Sequence, residues 1–121
     1  MALFVGMPVF ASGSQTISIP KNQNWTSKYS DSRSKSYSYV SAGCESVYPS
    51  TGDDNFKKIQ VRVVTSQGML IMNDSYKVLE EGKGVSEIDV KEGYLGLEQV
   101  SFQFRGNSNS AAKAVVNYDG N

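Results

Sequence analysis

The sequence predicts an all-β protein: an antiparallel two-sheet β-sandwich of about seven to nine short strands, with jelly-roll or immunoglobulin-like connectivity. Three observations carry this. β-Branched and aromatic residues recur at every second position in short runs, which is the period of a strand. Clusters of Gly, Ser, Asn and Asp break those runs roughly every 8–12 residues. No stretch holds an apolar stripe at helical spacing, and the one competing segment, 76–83, runs into Gly82 and Gly84.

Gln15 to Ile19 alternates as a first strand, closed by Pro20 and the polar run 21–24. A second candidate runs from Trp25 to Tyr29, with Trp25, Ser27 and Tyr29 on one face. From Ser30 to Ser38 serine takes every second position. One face there is small and hydroxylated, while the other carries Asp31, Arg33, Lys35, Tyr37 and Tyr39. The polar end, 30–36, reads as a loop or an edge, and 37–47 as the firmer strand. Turn chemistry makes 49–55 a loop. Ile59, Val61, Val63 and Thr65 oppose Lys58, Gln60, Arg62 and Val64, the pattern of a half-buried strand.

Turns at 66–68 and 73–74 flank a short strand at 69–72 and lead into another at 76–79. After a turn at 80–84, Val85, Ile88 and Val90 mark a strand, and 91–96 reads as a turn or short 3-10 piece. Val100, Phe102 and Phe104 alternate with Ser101, Gln103 and Arg105. The loop 106–111 leads to Ala112, Ala114, Val116 and Tyr118 on one face, so these last two strands read as a hairpin.

Composition narrows the function. A chain of 121 residues forms one domain with its own core and needs no metal or disulfide staple. Twelve basic and 12 acidic side chains give zero net charge, which argues against a nucleic-acid partner. Without histidine there is no Ser-His-Asp or Cys-His catalysis, no histidine-ligated metal and no HExxH site. One cysteine, Cys44, leaves no internal disulfide and no CxxC pair. It lies in a strand with no basic residue close by in sequence, and reads as a small buried thiol. The neutrality is uneven. Positions 21–62 hold 7 basic and 4 acidic residues, and positions 74–98 hold 3 basic and 7 acidic. Complementary strands within one domain account for this first, and steering of a partner second.

Residues 1–11 read as the remnant of a secretion signal, which leaves 12–121 as a single domain. They are uncharged and mostly apolar, and the chain turns polar at Ser12. Val9 and Ala11 sit where a signal peptidase prefers small or aliphatic residues. An apolar run of about ten residues suits a signal and is too short to span a bilayer. No Lys or Arg precedes it, which fits translation starting upstream of Met1. The competing reading is an N-terminal strand with Leu3, Val5, Met7 and Val9 on one face. The leader implies a secreted protein with no stable membrane anchor.

Candidate chemistry is sparse. Asp53, Asp54 and Asn55 place three oxygen-bearing side chains in a glycine turn, a weak candidate for calcium. They lack the spacing of an EF-hand loop, and Asp and Asn are ordinary turn residues. Glu80 and Glu81 would point to opposite faces of a strand; Glu87 and Asp89 share a face among solvated residues. No SxxK or GxSxG accompanies the serines, and no cofactor is expected. Asn24-Trp25-Thr26 and Asn73-Asp74-Ser75 fit the N-glycosylation pattern, which matters only in a eukaryotic secretory route.

The strongest signal is aromatic and basic. Trp25, Tyr29, Tyr37 and Tyr39 fall within fifteen residues, interleaved with Lys28, Arg33 and Lys35. Such rings combine an apolar face with a polar tip and can stack on sugars or anchor a protein partner. The opposing reading makes Trp25 the core plug of a sandwich and the tyrosines ordinary strand formers. The sequence therefore predicts a secreted, non-catalytic binding module for a glycan or a protein surface. Its ligand-binding set is Trp25, Tyr29, Arg33, Lys35, Tyr37 and Tyr39. The alternative is a membrane-active toxin or bacteriocin-like secreted β-protein in which 30–38 rearranges into a barrel hairpin. Lipid contact would then cost roughly 2–4 kcal/mol for each buried Arg or Lys. A small hydrolase is the third reading, and it requires a deep pocket with two carboxylates.

Overall fold

The computed structural model describes residues 14–33, 37–49 and 57–121. The expectations placed on residues 1–11, on Lys35 and on Asp53, Asp54 and Asn55 lie outside these described residues.

The described residues form eight strands: β1 Gln15–Ile19, β2 Tyr29–Ser32, β3 Tyr39–Pro49, β4 Lys58–Val64, β5 Lys77–Glu80, β6 Val85–Asp89, β7 Gln99–Gly106 and β8 Ala112–Asp119. They build two four-stranded antiparallel sheets, ordered β1-β8-β3-β6 and β2-β7-β4-β5. The first strand pairs with the last, the second with the seventh, the third with the sixth and the fourth with the fifth. This is one long antiparallel ribbon wrapped on itself, closed by the ladders β3–β8 and β4–β7. The connectivity is a jelly roll, which decides between the two topologies that strand spacing alone left open.

The core lies between the sheets. Ile17 and Ile19, Val40 and Ala42, Ile59, Val61 and Val63, and Ala114 and Val116 are buried there at every second position. Phe102 and Phe104 are fully buried at its centre, where Tyr29 and Tyr118 pack on them at ring separations of 5.0–6.2 Å. Strand β3 bulges between Cys44 and Ser46. The turn after β5 folds onto this bulge: Gly82 N–H donates to the Cys44 carbonyl, and Val47 N–H donates to Glu81 Oε2. A bulge leaves ladder groups unpaired, and here a neighbouring turn pairs them.

Several elements differ from the sequence expectation. The loop after β7 does not close a hairpin, because β7 and β8 belong to opposite sheets. Alternation reports which face of a strand is buried, not which sheet the strand has joined. Only β4 and β5 pair directly among consecutive strands of the described residues. Regular pairing of β2 starts at Tyr29 rather than Trp25, although Thr26 still exchanges hydrogen bonds with Phe104 at 2.8 and 3.0 Å. Residues 69–72 make only two isolated bridges, Val64 to Leu70 and Met72 to Val90. The 91–96 stretch does hold a short 3-10 turn, Glu92–Tyr94. Strand β4 is covered on both faces, since Gln60 and Val64 are buried as well as Ile59, Val61 and Val63.

Candidate functional site

The expected ligand-binding set divides among separate places. Tyr29 is half-buried in the aromatic core. Arg33 is only 8% exposed. Its Nη1 donates to the Gly120 carbonyl at 2.9 Å and its Nη2 to the Tyr37 carbonyl. Burial pushes its pKa below that of a free guanidinium. Asp31 completes the clamp by accepting the Gly120 N–H at 2.7 Å. These two charges hold the chain at Gly120, so both are committed to the sandwich itself.

Tyr37 is exposed and stacks on half-buried Tyr39, with 5.6 Å between centroids and 17° between planes. Tyr39 lies opposite Asp89 in the β3–β6 ladder, whereas Trp25 sits over the other sheet. The tyrosine pair and the tryptophan therefore belong to different surfaces.

Trp25 gathers residues that the sequence reading left out. Strands β4 and β7 carry two copies of a short pattern, Gln60-Val61-Arg62 and Gln103-Phe104-Arg105. Their antiparallel register sets Gln60 against Arg105 and Arg62 against Gln103. Val61 and Phe104 point inward, so all four polar side chains share the outer face. Each arginine is pinned by the glutamine opposite. Arg62 Nε donates to Gln103 Oε1 at 2.9 Å, and Arg105 Nε donates to Gln60 Oε1. The glutamine amides are held in turn, Gln103 Nε2 by the Thr26 carbonyl and Gln60 Nε2 by Asn107 Oδ1, each at 2.9 Å.

The Trp25 ring lies against both guanidinium groups, whose central carbons are each 4.4 Å from its centroid. Arg105 also stands 5.1 Å from the ring of Tyr76, which is exposed. Val78, paired with Gln60, extends the face as an exposed apolar residue. Trp25 is half-buried on the outside of the sheet and forms no part of the core cluster. The tryptophan thus acts as a cover on a polar sheet face.

This face is electropositive. Arg62 has its pKa lowered first by burial and then by the positive charge of Arg105. Among the described residues no ion pair joins either guanidinium to a carboxylate. With Nε committed to glutamine, each guanidinium still carries its Nη N–H groups as further donors.

A shallow cavity of about 110 Å³ lies elsewhere, lined by Met72, Asn73, Asp74, Lys77, Glu87, Ile88 and Asp89. Glu87 and Asp89 do share a face, as the alternation implied. The volume is well below the roughly 300–1,000 Å³ of a small-molecule site. Among the described residues, no group of three or more acidic or thiol side chains could hold a metal ion. Compared with protein-family models, curated proteins and solved structures, the chain matches none.

Proposed function

We propose that this chain is a secreted, non-catalytic β-sandwich binding module whose ligand lies on the outer face of the β2-β7-β4-β5 sheet. The observation that carries the reading is the pair Arg62 and Arg105, held rigid by their glutamines against Trp25. Pre-ordered side chains lose little entropy when a ligand arrives, so such a face binds at low cost. An aromatic ring beside fixed donors is the recurring composition of surfaces that recognise a glycan or a protein. Tyr76 and Val78 widen the apolar part of that surface.

Export is supported by the apolar run at residues 1–11 and the polar change at Ser12. The absence of histidine throughout the chain weighs toward binding rather than catalysis. The membrane-inserting alternative has less support. Segment 30–38 would have to surrender the Asp31 and Arg33 contacts to Gly120 before it could rearrange.

A glycan array followed by calorimetric titration tests the reading. Binding that is lost in Trp25→Ala, with the thermal transition retained, is the expected result. Wild-type protein that binds no glycan and no protein across a broad panel would overturn it.

A further inference from the structure

Resting on the binding face just described, we propose that its ligand is an acidic polysaccharide whose carboxylates seat on Arg62 and Arg105 beside Trp25. Gln60 and Gln103 spend their oxygens on arginine Nε groups and their amides on Asn107 and Thr26. The charged groups at its centre are the two guanidiniums, which donate and cannot accept. A neutral sugar would leave the two neighbouring positive charges beside Trp25 uncompensated. A carboxylate is a pure acceptor, and its two oxygens match the guanidinium fork.

Charge points the same way. Two guanidiniums share one aromatic ring at 4.4 Å each, with no ion pair to a carboxylate among the described residues. They stand at most about twice that distance apart, close to the screening length of roughly 8 Å in physiological salt. Each feels the other, and an anionic ligand relieves both. A ligand carrying carboxylates at regular intervals can meet two such charges at once.

Position in the sheet selects a polysaccharide over an acidic peptide. Peptides that dock on sheets commonly add a strand to a free edge, where backbone hydrogen bonds give affinity. The four site residues instead come from β4 and β7, the two inner strands of their sheet. No strand edge is at hand there, and the described cavity lies on other residues. A sheet face away from the strand edges suits a polymer read through its substituents. The ring of Trp25 supplies the surface on which a pyranose C–H face can rest.

The test is calorimetric titration of the whole chain with polygalacturonate fragments, their carboxyl-reduced counterparts, a sulfated glycan and poly-glutamate of matched charge. The expected result is binding to polygalacturonate that weakens at least tenfold on carboxyl reduction. Arg62→Gln and Arg105→Gln should each weaken it about tenfold, and raising salt from about 20 to about 300 mM should weaken it further. Far-ultraviolet circular dichroism and urea midpoints show whether these variants remain folded, and titration of Lys113→Gln, on the other sheet, should match wild type. Equal binding of the carboxyl-reduced chain would overturn the proposal while leaving a glycan-binding module standing. So would preference for poly-glutamate or for the sulfated glycan, or indifference to both arginine substitutions in folded protein. Failure of all four ligands to bind would overturn the proposal, while the binding reading itself falls only with the broader panel of glycans and proteins.

Discussion

The guanidinium carbon of Arg62 lies 4.4 Å from the centroid of the Trp25 ring, and Arg105 approaches that ring to the same distance from the neighbouring strand. Trp25 is the only tryptophan in the chain, so its fluorescence reports this contact alone. Cation–π contacts of this kind contribute roughly 0.5–2 kcal/mol each. Arg62→Gln and Arg105→Gln should each shift the emission to longer wavelength and lower stability by about 1 kcal/mol. Iodide, an anion, should quench wild-type fluorescence more efficiently than it quenches the double variant. Acrylamide, which is neutral, should not reproduce that order. Equal iodide quenching in both proteins would show that the two charges do not gather anions at the ring.

Arg33 yields a prediction of the opposite kind, because its charge faces inward. It is buried, and it donates to the carbonyls of Gly120 and Tyr37. Arg33→Ala removes both charge-assisted bonds from the buried clamp at Gly120, at a cost of about 2–4 kcal/mol. Arg33→Lys should recover less than half of this, since one ammonium cannot reproduce a planar fork reaching two carbonyls. Urea denaturation measures it: the midpoint falls while the slope is unchanged. Ligand affinity of the folded fraction should remain that of wild type, which separates Arg33 from the binding face.

Much of the fold is legible in the sequence because one face of each strand is buried. Ile59, Val61 and Val63, and likewise Val100, Phe102 and Phe104, announce their strands through alternation alone. Topology is less legible, for β7 and β8 alternate in the same way although they lie in opposite sheets. The site was hidden for a related reason. Trp25, Tyr29, Arg33, Tyr37 and Tyr39 are neighbours in sequence, yet the ribbon sends them to the sheet face, the core, the Gly120 clamp and the other sheet. Proximity along the chain is a poor guide in a fold whose strands pair at long range. One signal was available. Two Gln-x-Arg triplets on antiparallel neighbours face each other crosswise when the register aligns them, and Gln60, Arg62, Gln103 and Arg105 do so.

Gly43 occupies a position where the absence of a side chain matters. A Cβ there would meet the Gly84 carbonyl oxygen at 2.9 Å, the Val85 Cα at 3.2 Å and Asn117 Oδ1 at 3.3 Å. Two of these are backbone atoms of the strand and turn packed against β3, so relief requires that pairing to shift. Gly43→Ala should destabilise by about 1–3 kcal/mol. Gly93 provides the contrast, since a Cβ there meets nothing within 4 Å. Gly93→Ala should fall within about 0.5 kcal/mol of wild type or stabilise slightly. Thermal denaturation of the two variants side by side checks the difference; equal midpoints would remove the steric account of Gly43.

Cys44 is fully buried beside the bulge, and its thiol is pushed up to about 12 from an ordinary 9.0. Burial is the largest cause, followed by the negative charge of Glu81 in the turn that caps the bulge. The folded chain therefore keeps the proton that the unfolded chain loses first. This contribution to stability is fully present below about pH 9 and is lost as the pH climbs from there toward 12. Relative to Cys44→Ala, the wild type should lose on the order of 1 kcal/mol per pH unit across that window. Difference urea midpoints between the two proteins isolate the thiol from every group they share. At pH 8 the native thiol should also resist Ellman's reagent for hours and react within minutes in urea, because the attacking species is the thiolate. Rapid labelling of folded protein at pH 8 would show that the bulge opens often enough to expose Cys44, and would place the weakest part of the ladder there.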